Sequence, residues 1–265
     1  MQTDKSDKDK NWNIEKNNNC EPYNESSLIQ KGHIRSFQKR RGKITRGQRK
    51  ALEKHYNTYC IPYAEKKLNF SQIFDNKKGV ILEIGFGKGE ATAAIAEQFP
   101  DYGFIGIEVH TPGVGKLLSE IEKRHLCNMR IIQEDAVFVL QNMIPDLSLS
   151  GVHIFYPDPW PKKRHHKRRL IQPDFLEKLS KKIMPQGYIY AVTDWENYGH
   201  QILCGFNNLS GFTNPYCGFS PRQKWRPETR YEQKGIDKKH DIFEVYVKKQ
   251  SKIIRFFLSL LLFAI

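Results

Sequence analysis

The chain has 265 residues, of which 39% are hydrophobic, and this is enough for one large α/β domain with extensions. Lys and Arg number 43 against 29 Asp and Glu, so the formal net charge of +14 favours a polyanionic partner, either nucleic acid or an anionic membrane surface. The five cysteines are scattered without a CxxC pair, which argues against a zinc knuckle or a disulfide framework and suits the reducing cytoplasm. No apolar run follows Met1, so no secretory signal is expected.

Composition divides the chain into four predicted parts. Residues 1–30 are polar and predicted to be disordered, and residues 31–70 form a basic arm with ten Lys or Arg and one acidic residue between positions 31 and 54. Residues 71–250 carry the folded domain. An apolar tail lies within residues 251–265, and its ten residues 256–265 fall short of the ~20 that span a bilayer. We expect the tail to pack on the domain or fray, with an interfacial anchor as the alternative, so membrane association is not the main expectation.

Within the main domain, apolar strand-like runs alternate with helical stretches. The predicted strands are 79–84, 103–109, 129–132, 151–155 and 187–192, and the predicted helices are 90–98, 114–124, 137–143 and 173–183. Residues 242–247 alternate like a late, antiparallel strand. This alternation predicts a doubly wound, mostly parallel α/β sheet that binds ligands at the carboxyl ends of its strands.

A glycine-rich turn follows the first strand and points to a cofactor site. Gly85, Gly87 and Gly89 allow a close approach of backbone to ligand. The dinucleotide fingerprint requires another glycine three positions after the second, but the chain has Glu90 there. A carboxylate at the start of a helix opposes a pyrophosphate and tolerates the zwitterionic, cationic sulfonium of an adenosyl cofactor.

Three further carboxylates lie where such a cofactor needs them. Glu108 ends the second strand and could accept both ribose hydroxyls, while Asp135 follows the third strand and could reach the adenine amino group. Glu83 lies inside the first strand, either as a paired core carboxylate or as a group that faces the methionine ammonium or anchors the glycine loop. NAD would also require Glu108, so this residue alone does not identify the cofactor.

The segment after the fourth strand is the strongest candidate for the reaction centre. Three prolines in residues 156–161 predict an extended, stiff loop that presents Asp158 and leaves a face of Trp160 free for a base to stack on. Residues 162–169 add six permanent cations and two histidines, which favours phosphate binding over a solvated charge run.

Two later segments complete the predicted substrate side. Asp194 ends the fifth strand and could accept hydrogen bonds from a guanine edge. Residues 226–232 combine cations, acceptors and an aromatic without a clear period, so they suit either a recognition loop or an ordinary polar surface loop. The histidines outside these segments show no metal-ligand spacing, and no metal is predicted.

Five segments in order resemble the bacterial family of tRNA (guanine-N7)-methyltransferases, which modify a guanosine in the tRNA variable loop. The similarity runs over residues 34–247, and its most specific part is the PDPWPKKRHHKRR sequence. The matching segments are residues 82–89, 106–108, the acidic turn at Asp135, 156–169 and 229–232. The resemblance implies a seven-stranded Rossmann-like sheet with helices on both faces, S-adenosylmethionine as the cofactor, and tRNA as the partner, with no obligate protein partner.

The resemblance also implies roles for individual residues. Asp158 would be both a cofactor neighbour and the catalytic residue. The other cofactor contacts implied are Glu83, Gly85, Gly87, Glu108 and Asp135. The substrate contacts implied are Lys162, Asp194, Thr229, Arg230, Tyr231 and Glu232.

The residues alone leave three alternatives. An N6-adenine methyltransferase has a related motif after its fourth strand, but here Asp158 is followed by one proline and not two. A nucleotide-dependent oxidoreductase would use the same βαβ unit and Glu108. A non-catalytic RNA-binding protein would need only the basic arm and residues 162–169.

Overall fold

The computed structural model describes residues 34–38, 42–75, 77–237 and 239–251. All of these belong to one compact unit that begins at Ile34. The predicted disordered region 1–30 and the apolar residues 256–265 lie outside the described residues, and the four-part division of the chain stays a prediction.

A seven-stranded sheet with the order β3-β2-β1-β4-β5-β7-β6 forms the centre of the molecule, as the family resemblance implies. The pairs from β3 to β5 are parallel, whereas β7 is antiparallel to both β5 and β6, as predicted for residues 242–247. The strands are β1 Val80–Ile84, β2 Gly103–Ile107, β3 Met129–Ile132, β4 Leu149–Phe155, β5 Ile183–Thr193, β6 Phe212–Thr213 and β7 Phe243–Lys249.

Strand β1 shows why the sequence folds around this sheet. All five of its residues are buried, which is typical of a parallel strand covered on both faces. Leu82 pairs with Ile105 of β2 on one side and with Val152 of β4 on the other. The strand order reverses between β1 and β4, and this switch point is where an open α/β sheet binds its ligand.

Eight α-helices accompany the sheet in the described part of the chain. They are α1 Arg46–Tyr59, α2 Phe70–Phe74, α3 Glu90–Gln98, α4 Thr111–Arg124, α5 Ala136–Asn142, α6 Pro173–Lys182, α7 Glu196–Asn207 and α8 Arg230–Ile236. The predicted helices correspond to α3, α4, α5 and α6, with ends displaced by at most three residues. Two buried apolar clusters, one centred on Leu82, Val152 and Ile189 and the other on Ile95, Leu117 and Met129, form the core.

The basic arm contains a helix that the hydrophobic pattern did not predict. Thr45 caps α1 through Gln48 in a reciprocal capping box, and Ala51 is buried. The Thr-x-x-Gln spacing was a usable signal for this helix start. Helix α8 was also missed, because residues 226–232 have no clear apolar period; its start is marked by Thr229, which accepts a hydrogen bond from the Glu232 amide. No helix in the described ranges is long and apolar enough to cross a membrane.

Candidate active site

The glycine turn after β1 adopts a conformation that side chains disfavour. Gly85, Gly87 and Gly89 have φ angles of +74°, +59° and +70°, in the left-handed region that glycine adopts readily. The Gly87 amide donates to a carboxylate oxygen of Glu108 at 2.8 Å. The other oxygen of Glu108 accepts from the amides of Val109 and His110 at 2.7 and 3.0 Å. Glu108 therefore ties the end of β2 to the glycine turn.

Glu83 is buried directly before the turn, as its place inside β1 predicts. Its exposed fraction is 4%, and burial raises the pKa of its carboxyl to about 8. The nearby Thr92 hydroxyl, which has no hydrogen bond of normal geometry, lowers this pKa, and the negative charge of Glu108 raises it further. A cationic ligand beside this carboxyl would stabilise its ionised form and lower its pKa, so Glu83 favours binding of a cation.

Gly85, Gly87 and Glu108 border a cavity of about 220 Å³ at the carboxyl edge of the sheet. Carboxylates from three strand ends line it, namely Glu108 after β2, Glu134 and Asp135 after β3, and Asp158 after β4. Asp135 also caps α5, because its carboxylate accepts from the Val137 amide at 2.9 Å. His110 is the one basic side chain of the described residues at this cavity. Such a lining repels a pyrophosphate and suits hydroxyl, amino and sulfonium groups.

The three prolines predicted an extended loop after β4, but the loop is not extended throughout. Tyr156 and Trp160, each directly before a proline, have φ angles of +51° and +45°. Trp160 is 8% exposed, its indole N–H donates to the Ser36 carbonyl at 2.9 Å, and the Arg168 guanidinium lies over its ring. The prediction of a free stacking face on Trp160 is therefore wrong, because the ring is covered by parts of the chain that local sequence does not place there.

The segment 34–38 lies across the mouth of the cavity. The backbone N–H of Gln38 donates to the Asp158 carboxylate at 3.0 Å, and the backbone carbonyl of Gln38 lies 3.1 Å from the His110 ring nitrogen Nε2. Ser36 and Phe37 also line the cavity. Nothing in the local pattern of the basic arm predicted these two hydrogen bonds, which join residues 120 and 72 positions apart.

The basic sequence after Pro161 forms a 3₁₀ helix, Lys163–Arg168, with Lys162 at its N-cap. Lys162, Lys163, Arg164 and Lys167 are exposed and have no carboxylate partner among the described residues. Arg169 differs, because it is 2% exposed and donates to Pro159, Asn197 and Gln201. The expectation of phosphate binding for this run does not extend to Arg169, which is buried and fastens the loop to α7.

Asp194 lies beside an aromatic pair. The rings of Tyr156 and Tyr231 are 5.0 Å apart, and the Tyr231 hydroxyl lies 3.4 Å from an Asp194 carboxylate oxygen. His240 approaches the same oxygen at 3.6 Å. Tyr231 is 56% exposed, so the structure brings an accessible aromatic, a carboxylate and the Asp158 loop to one edge of the sheet.

Glu232 has a different environment from Tyr231. It is 2% exposed. Both of its carboxylate oxygens pair with the Arg226 guanidinium at 2.7 Å, and one of them also pairs with Arg222 at 2.9 Å. Burial alone would raise the pKa of Glu232, but hydrogen bonds and charge from Arg226 hold it below its usual value. Thr229 caps α8, and the side chain of Arg230 lies outside the described part of the chain. Substrate contact by residues 229–232 stays a prediction.

Comparisons with known proteins identify the family. A family model described as putative methyltransferase matches residues 77–245. The chain is 46% identical over 217 residues to a tRNA (guanine-N(7)-)-methyltransferase of Nitrosospira multiformis, covering 82% of this chain and 95% of that one. It is 47% identical over 212 residues to the protein of the same name from Nitrosomonas europaea, with 80% and 95% covered. The chain belongs to the tRNA (guanine-N(7)-)-methyltransferase family.

The fold agrees with this membership in the tRNA (guanine-N(7)-)-methyltransferase family. The solved structure of the 16S rRNA methyltransferase KamB matches with a TM-score of 0.52 at 13% identity, covering 69% of this chain and 93% of that one. At this identity the likeness shows the fold alone. Membership decides against the oxidoreductase and against the binding protein without catalysis, and S-adenosylmethionine is the cofactor of such an enzyme.

The residues at the cavity fit that cofactor. The positive φ angles of the glycine turn let backbone approach a ligand, and Glu83, buried in β1 two residues before Gly85, carries an ionisable carboxyl. Glu108 and Asp135 line the cavity from neighbouring strand ends, and their carboxylates are acceptors for hydroxyl and amino groups. Among the described residues no group of His, Cys, Asp and Glu could hold a metal ion.

Proposed function

We propose that this protein transfers a methyl group from S-adenosylmethionine to N7 of a guanosine in the variable loop of tRNA, in the cytoplasm. The observation that carries the proposal is the position of Asp158 in a member of this family. Asp158 lies between the acidic cavity and the exposed 3₁₀ helix Lys163–Arg168, called the cationic turn below. The cavity suits a small zwitterion, and the turn suits a polyphosphate.

Six residues would hold the cofactor, which supplies an electrophilic methyl group on its sulfonium. Gly85 and Gly87 leave space for it along the turn, and Glu83 would face its ammonium. Glu108 and Asp135 would accept hydrogen bonds from its adenosyl part, and Asp158 would lie beside it. These assignments are supported by the acidic lining of the cavity and by the buried, ionisable carboxyl of Glu83, whose pKa burial raises to about 8.

The chemistry of guanine N7 decides what Asp158 has to do. N7 carries a free lone pair at neutral pH, so the transfer needs no general base. The purine gains positive charge as the new bond forms, and a fixed carboxylate beside it stabilises that charge. The Gln38 amide, 3.0 Å from the Asp158 carboxylate, would restrict its orientation. We therefore assign Asp158 an orienting and charge-stabilising role.

The substrate contacts would come from the two sides of Asp158. Lys162 and the exposed cations after it suit tRNA phosphates, and Asp194 would accept from the guanine edge. Tyr231 is accessible for stacking. Thr229, Arg230 and Glu232 are predicted contacts as well. In the free protein Thr229 caps α8, and Glu232 pairs with Arg226.

One assay tests the function. The protein is incubated with bulk tRNA and methyl-labelled S-adenosylmethionine, and the nucleosides are separated by mass spectrometry. We expect label in 7-methylguanosine, lost in Gly87→Val because a side chain is strained at a φ of +59°. Label in N6-methyladenosine, or tRNA binding without any transfer, would contradict the proposal.

A further inference from the structure

The first turn of α4 lies unusually close to the glycine turn. A Cβ atom placed on Gly113 would overlap the carbonyl oxygen of Gly87 and lie only 3.2 Å from its carbonyl carbon. Both are backbone atoms, so no side chain can rotate away to make room. One helical turn later, the Leu117 side chain packs against Gly89, where an added Cβ would lie 2.7 Å from the Leu117 Cβ. One face of α4 therefore packs directly on the glycine turn.

Local conformation does not explain a glycine at position 113. Gly113 lies in the first turn of α4, and it is absent from the residues with positive φ. Alanine would suit this backbone and is a much better helix former than glycine. The requirement comes from outside the helix, because only a residue without a Cβ lets the Gly87 carbonyl lie against α4.

We infer that Gly113 is a positioning residue of the cofactor site, one that fixes the glycine turn before the cofactor binds. Gly87 is held on both sides of its Cα atom, since its N–H donates to Glu108 at 2.8 Å and its carbonyl meets Gly113. A turn that is already fixed loses little conformational freedom on binding, and this favours affinity. The inference rests on the proposed function only for the identity of the cofactor.

The consequence is specific to cofactor binding. A methyl group on Gly113 would push the Gly87 carbonyl outward and strain the amide that Glu108 holds. We expect Gly113→Ala to weaken binding of S-adenosylhomocysteine at least tenfold and to raise the KM for S-adenosylmethionine similarly. The KM for tRNA and the kcat at saturating cofactor should stay within about threefold of the unsubstituted protein, because the atoms nearest to an added Cβ belong to Gly87 and Glu108 and not to Asp158 or residues 163–168.

Gly115→Ala is the matched control. It lies two residues further along the same helix, gains the same helix preference, and also has a close neighbour, the Gln48 carbonyl oxygen of α1 at 2.9 Å from an added Cβ. It faces α1 and not the glycine turn. We expect the thermal midpoint of this variant to change, because the added methyl group would press against α1. Its affinity for S-adenosylhomocysteine, measured by calorimetry, should stay within twofold of that of the unsubstituted protein.

A second measurement keeps the inference testable should Gly113→Ala not fold. Hydrogen exchange of the Gly87 amide in the cofactor-free protein should already be slow, and S-adenosylhomocysteine should slow it less than tenfold further. An unprotected Gly87 amide, unchanged affinity in folded Gly113→Ala, or an equal loss in Gly115→Ala would each overturn it. Failure of the unsubstituted protein to bind S-adenosylhomocysteine would instead contradict the proposed function.

Discussion

Asp158 is the residue at which the proposed chemistry can be tested most directly. We predict that Asp158→Asn lowers kcat about 100- to 1,000-fold, the effect of removing one preorganised electrostatic group. S-adenosylhomocysteine should still bind, because the other carboxylates of the cavity remain. The measurement is kcat across pH 6–9 for both proteins. Parallel profiles are expected, whereas a pH optimum displaced only in the variant would restore a proton-transfer role to Asp158.

Glu83 predicts a pH dependence of cofactor binding. Its pKa of about 8 in the free protein means that it is mostly protonated at pH 7, and a cationic ligand favours the ionised form. Binding of S-adenosylhomocysteine should therefore release a proton at pH 7, and affinity should rise by up to about tenfold per pH unit toward pH 8. Calorimetry in two buffers of different ionisation enthalpy measures the proton release, and Glu83→Gln should bind more weakly with no such release.

The same pKa has a defined sign for stability. Because burial raises the pKa of Glu83 above its value in an unfolded chain, its contribution to stability is complete below pH 4.5 and is lost as pH rises toward 8. Cofactor binding opposes this loss by stabilising the ionised carboxyl. Sequence analysis identified Glu83 as unusual in a buried strand, but its protonation state depends on how completely α3 and the neighbouring strands cover it.

At the scale of elements, a buried ion-pair network fixes α8 against the sheet. The Arg226 guanidinium is 1% exposed and pairs with Glu232 at the start of α8 and with Glu244 of β7 at 2.6 Å. The Tyr190 hydroxyl of β5 donates to Glu244 and is 3.2 Å from Arg226. The network thus joins α8, which carries Tyr231, to β5 and β7.

We predict that Arg226→Met lowers the free energy of unfolding by about 3–5 kcal/mol, because it leaves two buried carboxylates without their shared partner. Chemical denaturation measures this change. Arg222→Met is the matched control, since Arg222 pairs with the same Glu232 but is 36% exposed, and it should cost about 1 kcal/mol or less. Equal losses in the two variants would contradict the larger contribution that we assign to the buried Arg226.

Prediction of the elements succeeded where the signal was local. The buried run of β1 and the alanine-rich α3 were found because apolar periodicity reports burial of a whole face. Helix α8 was not found, because its stability depends on Arg226 and Glu244 rather than on an apolar stripe. The capping spacings at Thr45 and Thr229 carried the missing information for α1 and α8.

At the scale of the whole molecule, net charge and its distribution should control tRNA affinity. We predict that replacing Lys163, Arg164 and Lys167 with Gln weakens tRNA binding and lowers the slope of log affinity against log salt by about 2, near 0.7–0.9 for each lost phosphate contact. S-adenosylhomocysteine affinity should not change, because these side chains lie outside the cofactor cavity.

A control with the same loss of charge separates contact from net charge. Lys66 in the loop before α2, Lys123 on α4 and Lys178 on α6 are also exposed, so their triple replacement with Gln removes the same number of charges elsewhere on the surface. Its salt slope should stay near that of the unsubstituted protein. Equal slopes in the two triple variants would show that the 3₁₀ helix makes no specific phosphate contacts.

The sequence by itself determined the sheet, the glycine turn and the set of carboxylates at the strand ends. Periodicity, turn residues and the rule that parallel strands present their carboxyl ends at one edge are all local or topological properties. The tertiary structure alone decided which of these side chains are free. Trp160 and Arg169 are covered, Glu232 is paired, and Gln38 reaches Asp158, because burial and hydrogen bonding join residues far apart in sequence. The approach of Gly113 to Gly87 belongs to the same class, since packing distance between backbones leaves no periodic trace in the sequence.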